Sequence, residues 1–520
     1  MPRSNVAAMA VRAADQAIEP MATPIPSNRA ELTARSAAAT TGGQVIRSRD
    51  VTARGIVSDT RAISGGEAFV ALRGATHDGH AFVGQAAARG ASLLVVESSA
   101  ALPDGPDVVR VVDTLAAWGD LAAAHLGAWR RARPDRRVVA ITGSAGKTTT
   151  KQLCAALLAE DAGTWATPGN LNTLVGLPAV VFALEDAHRF AVLEAGMSVR
   201  GEMARLGAIA RPDVAVITNI ATAHAEGVGG TRADVAREKG ALFEAVGQGG
   251  TCVFDAGDDV SRAELARARG ARAVGFGRDE RAGYRLLDRV SRGEEGSRVT
   301  LQRPCELCAS PRATEIVEVE LPLLGEAAAV DLCAALAAAE AARGASLPMD
   351  AFERAMRSVR NVEGRAQPHK LGGDVLVVDD SYNANPASMR AAFSILADLA
   401  RAGARRTVAI LGEMKELGDA ARDEHAALGD ALRDAGVSLV IGCGGQIDLT
   451  VARARELGVE AIAARDVGGA AALAVERVRQ GDVVLVKASR SVGAEKVVEA
   501  LVRSRGEVQG DGGGGSEPDH

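Results

Sequence analysis

The chain has 520 residues, 47% of them hydrophobic and 24% charged, with a formal net charge of −6. That length is too great for a single core and points to roughly three domains. The acidic balance argues against nucleic acid or a membrane surface as partner, and no apolar run approaches the ~20 residues that span a bilayer.

Residues 1–28 are rich in Ala, Pro and Ser and read as a disordered extension; Arg12 and Asp15 break the apolar stretch a secretory signal needs. From 29 to 113, short β-type runs (EAFVAL, SLLVVE, VVRVV) flank the polar stretch RGATHDGHAF, which predicts a small α/β module. The region 114–361 opens on a helical segment, 115–133, and then reaches VVAITGSAGKTTTK at 138–151. Here an apolar, β-branched run ends in Gly143-Ser144-Ala145-Gly146-Lys147-Thr148-Thr149 and passes into the helix former KQLCAALLAE. Strand, glycine turn and helix start form a phosphate cradle. Backbone amides and the helix dipole face the anion, Lys147 adds a cation, and Thr148 offers an oxygen to Mg²⁺. The common pattern has a further glycine where Ile141 stands, so this is a short form of the loop, suited to ATP or GTP.

Beyond it, runs such as FAVLEAG, DVAVITNI and GTCVFDA alternate with helical stretches, the pattern of a parallel sheet whose ligands sit at strand carboxyl ends. TPGNLNTLVGLP at 167–178 places Asn170 and Asn172 in a turn-prone stretch, where amides can reach a sugar or phosphate. Glu194 ends one strand and His224 follows another; a carboxylate there can ligate Mg²⁺, although a solvated acid and a structural histidine are equally ordinary readings. Lys239, in DVAREKGALFEAV, reads alone as a helix-surface lysine. From 282 to 320 the pattern turns charged and β-like, a small antiparallel addition, and an Ala-rich helix follows over 327–343. The region 362–506 repeats the alternation (VLVVDDS, RTVAILG, SLVIG, DVVLVKAS) and predicts a second, Rossmann-like doubly wound domain before a flexible tail, 507–520. The fold class expected is α/β in three domains, with substrates in the cleft between them. The six cysteines are scattered; Cys305 and Cys308 form a C-x-x-C without the second pair a zinc site needs, and reduced cytoplasmic thiols are expected.

Taken together, GSAGKTTTK, TPGNLNT, VEGRAQ, VVDDSYNANPASM, ILGEMKELG and VKASRSVGAEKVV resemble the Mur ligases, ATP-dependent amide-forming enzymes that build the peptidoglycan stem peptide. The resemblance runs from about Ser58 to Leu501 and is strongest to the dipeptide-adding branch. It implies that D-alanyl-D-alanine is joined to UDP-N-acetylmuramoyl-tripeptide through an acyl phosphate, by a cytoplasmic monomer using ATP and two Mg²⁺ ions. Gly143, Ser144, Ala145, Gly146, Lys147, Thr148 and Thr149 would bind ATP, joined by Arg365, Asp380 and Asn383. Glu194 and His224 would hold a second Mg²⁺ together with Lys239, which in this family carries a CO₂-derived carbamate. Ser58, Asp59, Thr60 and Arg61, with Gly74, Asp78 and His80, would meet the UDP group; Asn170 and Asn172 would touch substrate; Lys487, Ser489 and Arg490 would orient the dipeptide. Lys147, Lys239, His224 and Asp380 are the expected catalytic group.

One segment departs from the family pattern. Where asparagines near adenine are usual, this chain reads Gly325-Glu326-Ala327-Ala328-Ala329-Val330-Asp331, so base recognition must differ. Another Mur-type ligase, a folyl- or cyanophycin-type amide ligase, and a P-loop switch ATPase remain the alternatives. The last leaves Glu194, His224 and Lys239 without a role.

Overall fold

The computed structural model describes residues 23–74, 78–97, 102–221, 225–305 and 313–508. The chain divides into two compact units, Met1–Leu287 with Thr300–Val319 and Val330–Val359, and Asp288–Val299 with Glu320–Ala329 and Arg360–His520.

The first unit contains a five-stranded sheet in the order Gln44–Arg47, Asp107–Arg110, Leu93–Val96, Ala68–Val70, Ile56–Val57. Its first pair is antiparallel and the rest parallel. Leu93 through Val96 are all buried, as a strand covered on both faces requires. Residues 23–28 lead into this module, and Asn28 fastens them: its amide donates to Ile56 O (3.0 Å) and its carbonyl accepts from the amides of Ala30 and Ile56.

The larger sheet has nine strands. From one edge they run Thr164–Ala166, Phe190–Glu194, Arg137–Thr142, Val214–Ile217, Thr251–Asp255, Arg272–Gly277 and Tyr284–Ser291, all parallel, and then Ser297–Pro304 and Thr314–Leu321. The charged segment after 282 therefore continues this sheet. The strand Arg137–Thr142 lies between its two partners with Ile141 beside Glu194 and Thr142 beside Ile217, so three carboxyl ends converge at the glycine turn. Continuous Val, Ile and Leu in these strands reflect helices on both faces.

One of those helices, Thr114–Ala132, is started by the Asp113 carboxylate, which accepts from the Ala116 amide (2.9 Å). It packs on the short helix Gly176–Phe182 that follows TPGNLNT. Trp118 makes the joint: its ring meets Phe182 edge-on at 4.8 Å between centroids, and its indole N–H donates to Val175 O (2.9 Å).

The second unit contains a six-stranded sheet ordered Gln367–Leu371, Val375–Asp380, Val483–Lys487, Thr407–Gly412, Leu439–Cys443, Glu460–Ala464, antiparallel at the first pair and parallel elsewhere. The string Asn-Ala-Asn-Pro ends its turn by capping: Asn385 Oδ1 accepts from Ser388 N (2.9 Å), the Ser388 hydroxyl closes the box, and Pro386 begins the helix Pro386–Gly403. The two outer strands escape a sequence reading. Gln-Pro-His-Lys-Leu carries a proline that only an edge tolerates, and Glu-Ala-Ile-Ala-Ala has weak β character.

Cys154, Cys252, Cys333 and Cys443 are free and buried. Cys305 is disulfide-bonded, a departure from the expectation of reduced thiols throughout, and Cys308 lies outside the described residues. Among the described residues no helix is long and apolar enough to cross a membrane.

Trp118→Ala removes both the ring contact and the tie to Val175. It is expected to destabilise the first unit by about 3–5 kcal/mol, read as a lower urea midpoint by circular dichroism.

Candidate active site

The phosphate cradle is built as the sequence implies. Gly143 leaves the strand, Gly146 adopts φ +78° as the N-cap, and the helix Lys147–Ala159 begins. Its first closed turn is Thr150 N–H to Gly146 O (2.8 Å), which leaves the amides of that turn without intrahelical partners and aimed out of the helix start. The Ser144 and Ala145 amides are directed elsewhere: they donate to Asn219 O (3.0 Å) and Asn219 Oδ1 (2.8 Å). Thr218 adds a third strut, its hydroxyl donating to Ala145 O at 2.5 Å. Ala221 completes the frame by exchanging hydrogen bonds with the Ser144 hydroxyl. Thr149 is half-buried on the first turn.

Two lysines meet at one carbonyl. Lys147 Nζ lies 2.8 Å from Gly143 O, and Lys239 Nζ, from the helix Arg232–Glu244, lies 3.2 Å from the same oxygen. Lys239 is only 1% exposed. Burial holds its ammonium well below the usual lysine range, the Lys147 charge adds to that, and Glu238 opposes it. A helix-surface lysine is thus not what the fold makes of it: this face of the helix is turned into the protein.

Glu194, 1% exposed, is the other centre. Its Oε2 accepts from Thr148 Oγ1 (3.0 Å) and lies 3.2 Å from Lys151 Nζ; its Oε1 accepts from Asn172 Nδ2 (2.8 Å). Thr167 Oγ1 accepts from the Glu194 backbone amide, and Lys151 also donates to Gly169 O (3.0 Å), so the TPGNLNT loop is sewn to the carboxylate. Asn170 is exposed and accepts from Thr23 Oγ1 (3.1 Å). His224 lies outside the described residues.

In the module of five strands, Asp59 caps a short turn and pairs with exposed Arg61, their closest atoms 2.6 Å apart, and the Arg61 hydrogen bonds hold the Asp59 carboxyl below its usual range. Thr60 is buried and donates to Gln85, and Ser58 is half-buried beside it. His80 is fully engaged: Glu97 N–H donates to Nε2 (2.9 Å), so Nδ1 carries the proton to Asp78 Oδ1 (2.6 Å). Arg73 bridges Asp78 and Glu97. Gly74 is described; the three residues after it are not.

In the second unit Lys487, 2% exposed, donates to Asp380 Oδ2 (2.6 Å) and Asn383 O (2.8 Å), while Asp380 Oδ1 accepts from the Ala366 amide. Arg365 and Arg490 lie over the Tyr382 ring, 4.2 and 5.5 Å from its centroid. Buried Ser489 ties two loops, accepting from the Lys415 amide (2.9 Å) and donating to Ala384 O.

Three family profiles match the chain: the Mur ligase middle domain over residues 141–339, the Mur ligase glutamate ligase domain over 364–490, and the Mur ligase family catalytic domain over 52–125. The UDP-N-acetylmuramoyl-tripeptide–D-alanyl-D-alanine ligase of Escherichia coli K12 is 34% identical over 457 residues, covering 88% of this chain and 95% of that one. The chain belongs to the Mur ligase family. Among solved structures, MurF from Acinetobacter baumannii superposes with a TM-score of 0.79 at 27% identity, covering 92% of this chain and all of that one. MurF ligase from Thermotoga maritima, solved in complex with ADP, gives 0.73 at 27% identity, covering 86% and 97%. This Mur ligase is an ATP-dependent, ADP-forming enzyme of the MurF-like branch, with the three-domain α/β fold of those structures.

The donor set of the Mur ligase suits Mg²⁺. Thr148 Oγ1 and Glu194 Oε2 are hard oxygens 3.0 Å apart at the cradle. Among the described residues no three His, Cys, Asp or Glu gather in a metal-binding group.

The motifs do not single out Lys151, Thr218, Asn219 or Tyr382. Lys151 carries a signal in hindsight, standing three residues after Thr148 and so on the same helix face. Thr218 and Asn219 follow the neighbouring strand, and only topology places them under the loop. A Cβ on Gly143 would sit 1.8 Å from Thr218 Oγ1. Gly143→Ala must therefore displace the cradle, and nucleotide affinity measured by calorimetry is expected to fall about 100-fold with the fold retained by circular dichroism.

Proposed function

We propose that this chain joins D-alanyl-D-alanine to UDP-N-acetylmuramoyl-tripeptide at the expense of ATP, as a cytoplasmic monomer in peptidoglycan precursor synthesis. The observation that carries the reading is the meeting of Lys147 and buried Lys239 on Gly143 O, beside a cradle whose Thr148 is bonded to Glu194. A switch ATPase has no use for that second, desolvated lysine.

The tripeptide carboxylate attacks the γ-phosphorus of ATP and ADP leaves, giving an acyl phosphate. The dipeptide amine then attacks the acyl carbon, phosphate departs, and the amine gives up a proton as the amide forms. Two anions must approach in the first step. Lys147 and the amides of the first helical turn hold the γ-phosphate in place and stabilise the charge that develops. Thr148, Glu194, His224 and Lys239 are the residues that would hold Mg²⁺, which when bound supplies further charge neutralisation on the phosphate oxygens.

Lys239 serves as a carbamate in this reading. A neutral amine can attack CO₂ and lose a proton to become an anionic oxygen donor, and burial shifts Lys239 Nζ toward the neutral form that reaction needs. Residues 29–113 form the UDP-binding domain, with Ser58, Asp59, Thr60 and Arg61 at the ligand and Asp78 and His80 holding the loop. Residues 114–361 form the ATP domain, with Asn170 and Asn172 at the substrate. Residues 362–506 form the ligase domain, where Arg365, Asp380 and Asn383 serve ATP. Arg490 serves the dipeptide, and Lys487 and Ser489 shape that ground through the bonds they make.

Phosphate release with ATP, Mg²⁺ and UDP-muramoyl tripeptide should depend on D-alanyl-D-alanine, and Lys147→Ala should lose it. Release that ignores the dipeptide rules the reading out. With ¹³C-bicarbonate, the Mg²⁺-bound enzyme should show a carbamate carbon by NMR that vanishes in Lys239→Ala; a free amine at Lys239 refutes the modification alone.

A further inference from the structure

The helix Gly325–Arg343 is built almost wholly of alanine and other apolar residues, yet Asp331 is buried in it at 7% exposure. Its position is specific. A Cβ placed on Gly146 would lie 2.4 Å from Asp331 Oδ1 and 2.8 Å from Oδ2, so the carboxyl rests directly on the N-cap of the P-loop helix. The polar group beside it is the buried Thr150 hydroxyl, one turn along, which has no well-formed hydrogen bond of its own. Burial and that hydroxyl are the influences on Asp331, and no cation is among them. On its own helix the neighbouring titratable group is Cys333, with Arg278 beyond it. Lys147 and Lys239 face the cradle from the Gly143 side, each held on Gly143 O.

An acid in that place creates a conflict. The cradle exists to receive phosphates, and a carboxylate against its N-cap opposes them and occupies the favourable end of the helix dipole. The neutral acid does neither. Burial without a counter-ion favours that neutral form, pushing the carboxyl up to about 8. We propose that Asp331 couples nucleotide binding to proton uptake: the enzyme binds ATP with Asp331 as the neutral acid, and ionisation of Asp331 weakens the site. The inference rests on reading the P-loop as the ATP site.

The sign follows from linkage. Phosphates beside Asp331 disfavour its carboxylate further, so the complex retains a proton that the free enzyme loses as pH rises through about 8. Below that range the group contributes no pH dependence. Above it, affinity falls by up to about tenfold per pH unit until the complex also deprotonates.

Calorimetric titration of the full-length enzyme with a non-hydrolysable ATP analogue, from pH 7.5 to 9.5 in buffers of different ionisation enthalpy, tests this. The wild type should take up a proton on binding above pH 8, and its Kd should climb across that range. Asp331→Asn keeps the shape, removes the ionisation, and should bind with a flatter profile and less proton uptake at pH 9; Asp331→Ser gives the same comparison should the first variant misfold. Equal slopes and equal uptake in wild type and variant overturn the proposal. Absence of analogue binding at every pH overturns the ATP assignment itself, and this proposal with it.

Discussion

The Glu194 carboxylate is the point on which the rest of the site depends. A charge with 1% exposure is costly unless it is paired and hydrogen-bonded, and its partners come from two separate stretches of chain. Thr148 and Lys151 arrive from the P-loop helix, Asn172 from the loop that follows the edge strand, and Thr167 steadies the backbone at Glu194 itself. The parallel sheet makes this possible because it brings the carboxyl ends of neighbouring strands to one line. The carboxylate in turn fixes the loop it gathers, and through Lys151 it reaches Gly169 O as well. Loss of any one partner leaves an under-satisfied buried charge, so the position of the cradle and that of the TPGNLNT loop are set by one interaction.

Hydrogen bonds beneath the loop do complementary work. A short P-loop has fewer backbone amides to wrap a phosphate than the common form. Here two of them, at Ser144 and Ala145, bond to Asn219. The loop is thereby stiffened from below, and the helix start offers an anion the positive end of its dipole. Preorganisation of this kind places the cost of ordering in folding, so that it does not fall on binding.

Much of the fold and part of the site could be read from the chain, and the division has a physical basis. The strands 190–194, 214–217 and 483–487 are continuous apolar runs bounded by turn residues, and they lie where the runs predict. The glycine turn before the helix at Lys147 and the acid at the end of strand 190–194 lie where the sequence puts them, because local geometry suffices for both. The burial of Lys239, a residue named through the family resemblance, was not legible, since nothing in REKGALFEA tells that its face of the helix is buried; that knowledge lies in tertiary packing. Lys487 shows the converse. Its motif suggests a group facing substrate, whereas the fold engages its ammonium with Asp380 and Asn383 O. Pairing across 107 residues of chain leaves no local trace.

A common thread joins Lys239 and Asp331. Both are desolvated beside the cradle, and in each burial works against the charge the side chain would carry in water, lowering the amine and raising the acid. The consequences for a polyphosphate site are complementary. Burial disfavours a second ammonium packed against Lys147 on the same carbonyl, and the neutral nitrogen it favours is the form that reacts with CO₂. An uncharged Asp331 spares the phosphates an opposing anion. Lys147 brings a cation to the Gly143 side of the cradle, and Lys151 balances the Glu194 carboxylate. A protein that exposed either Lys239 or Asp331 to water would restore its charge and unbalance the field in which the carboxylate and the γ-phosphate have to meet.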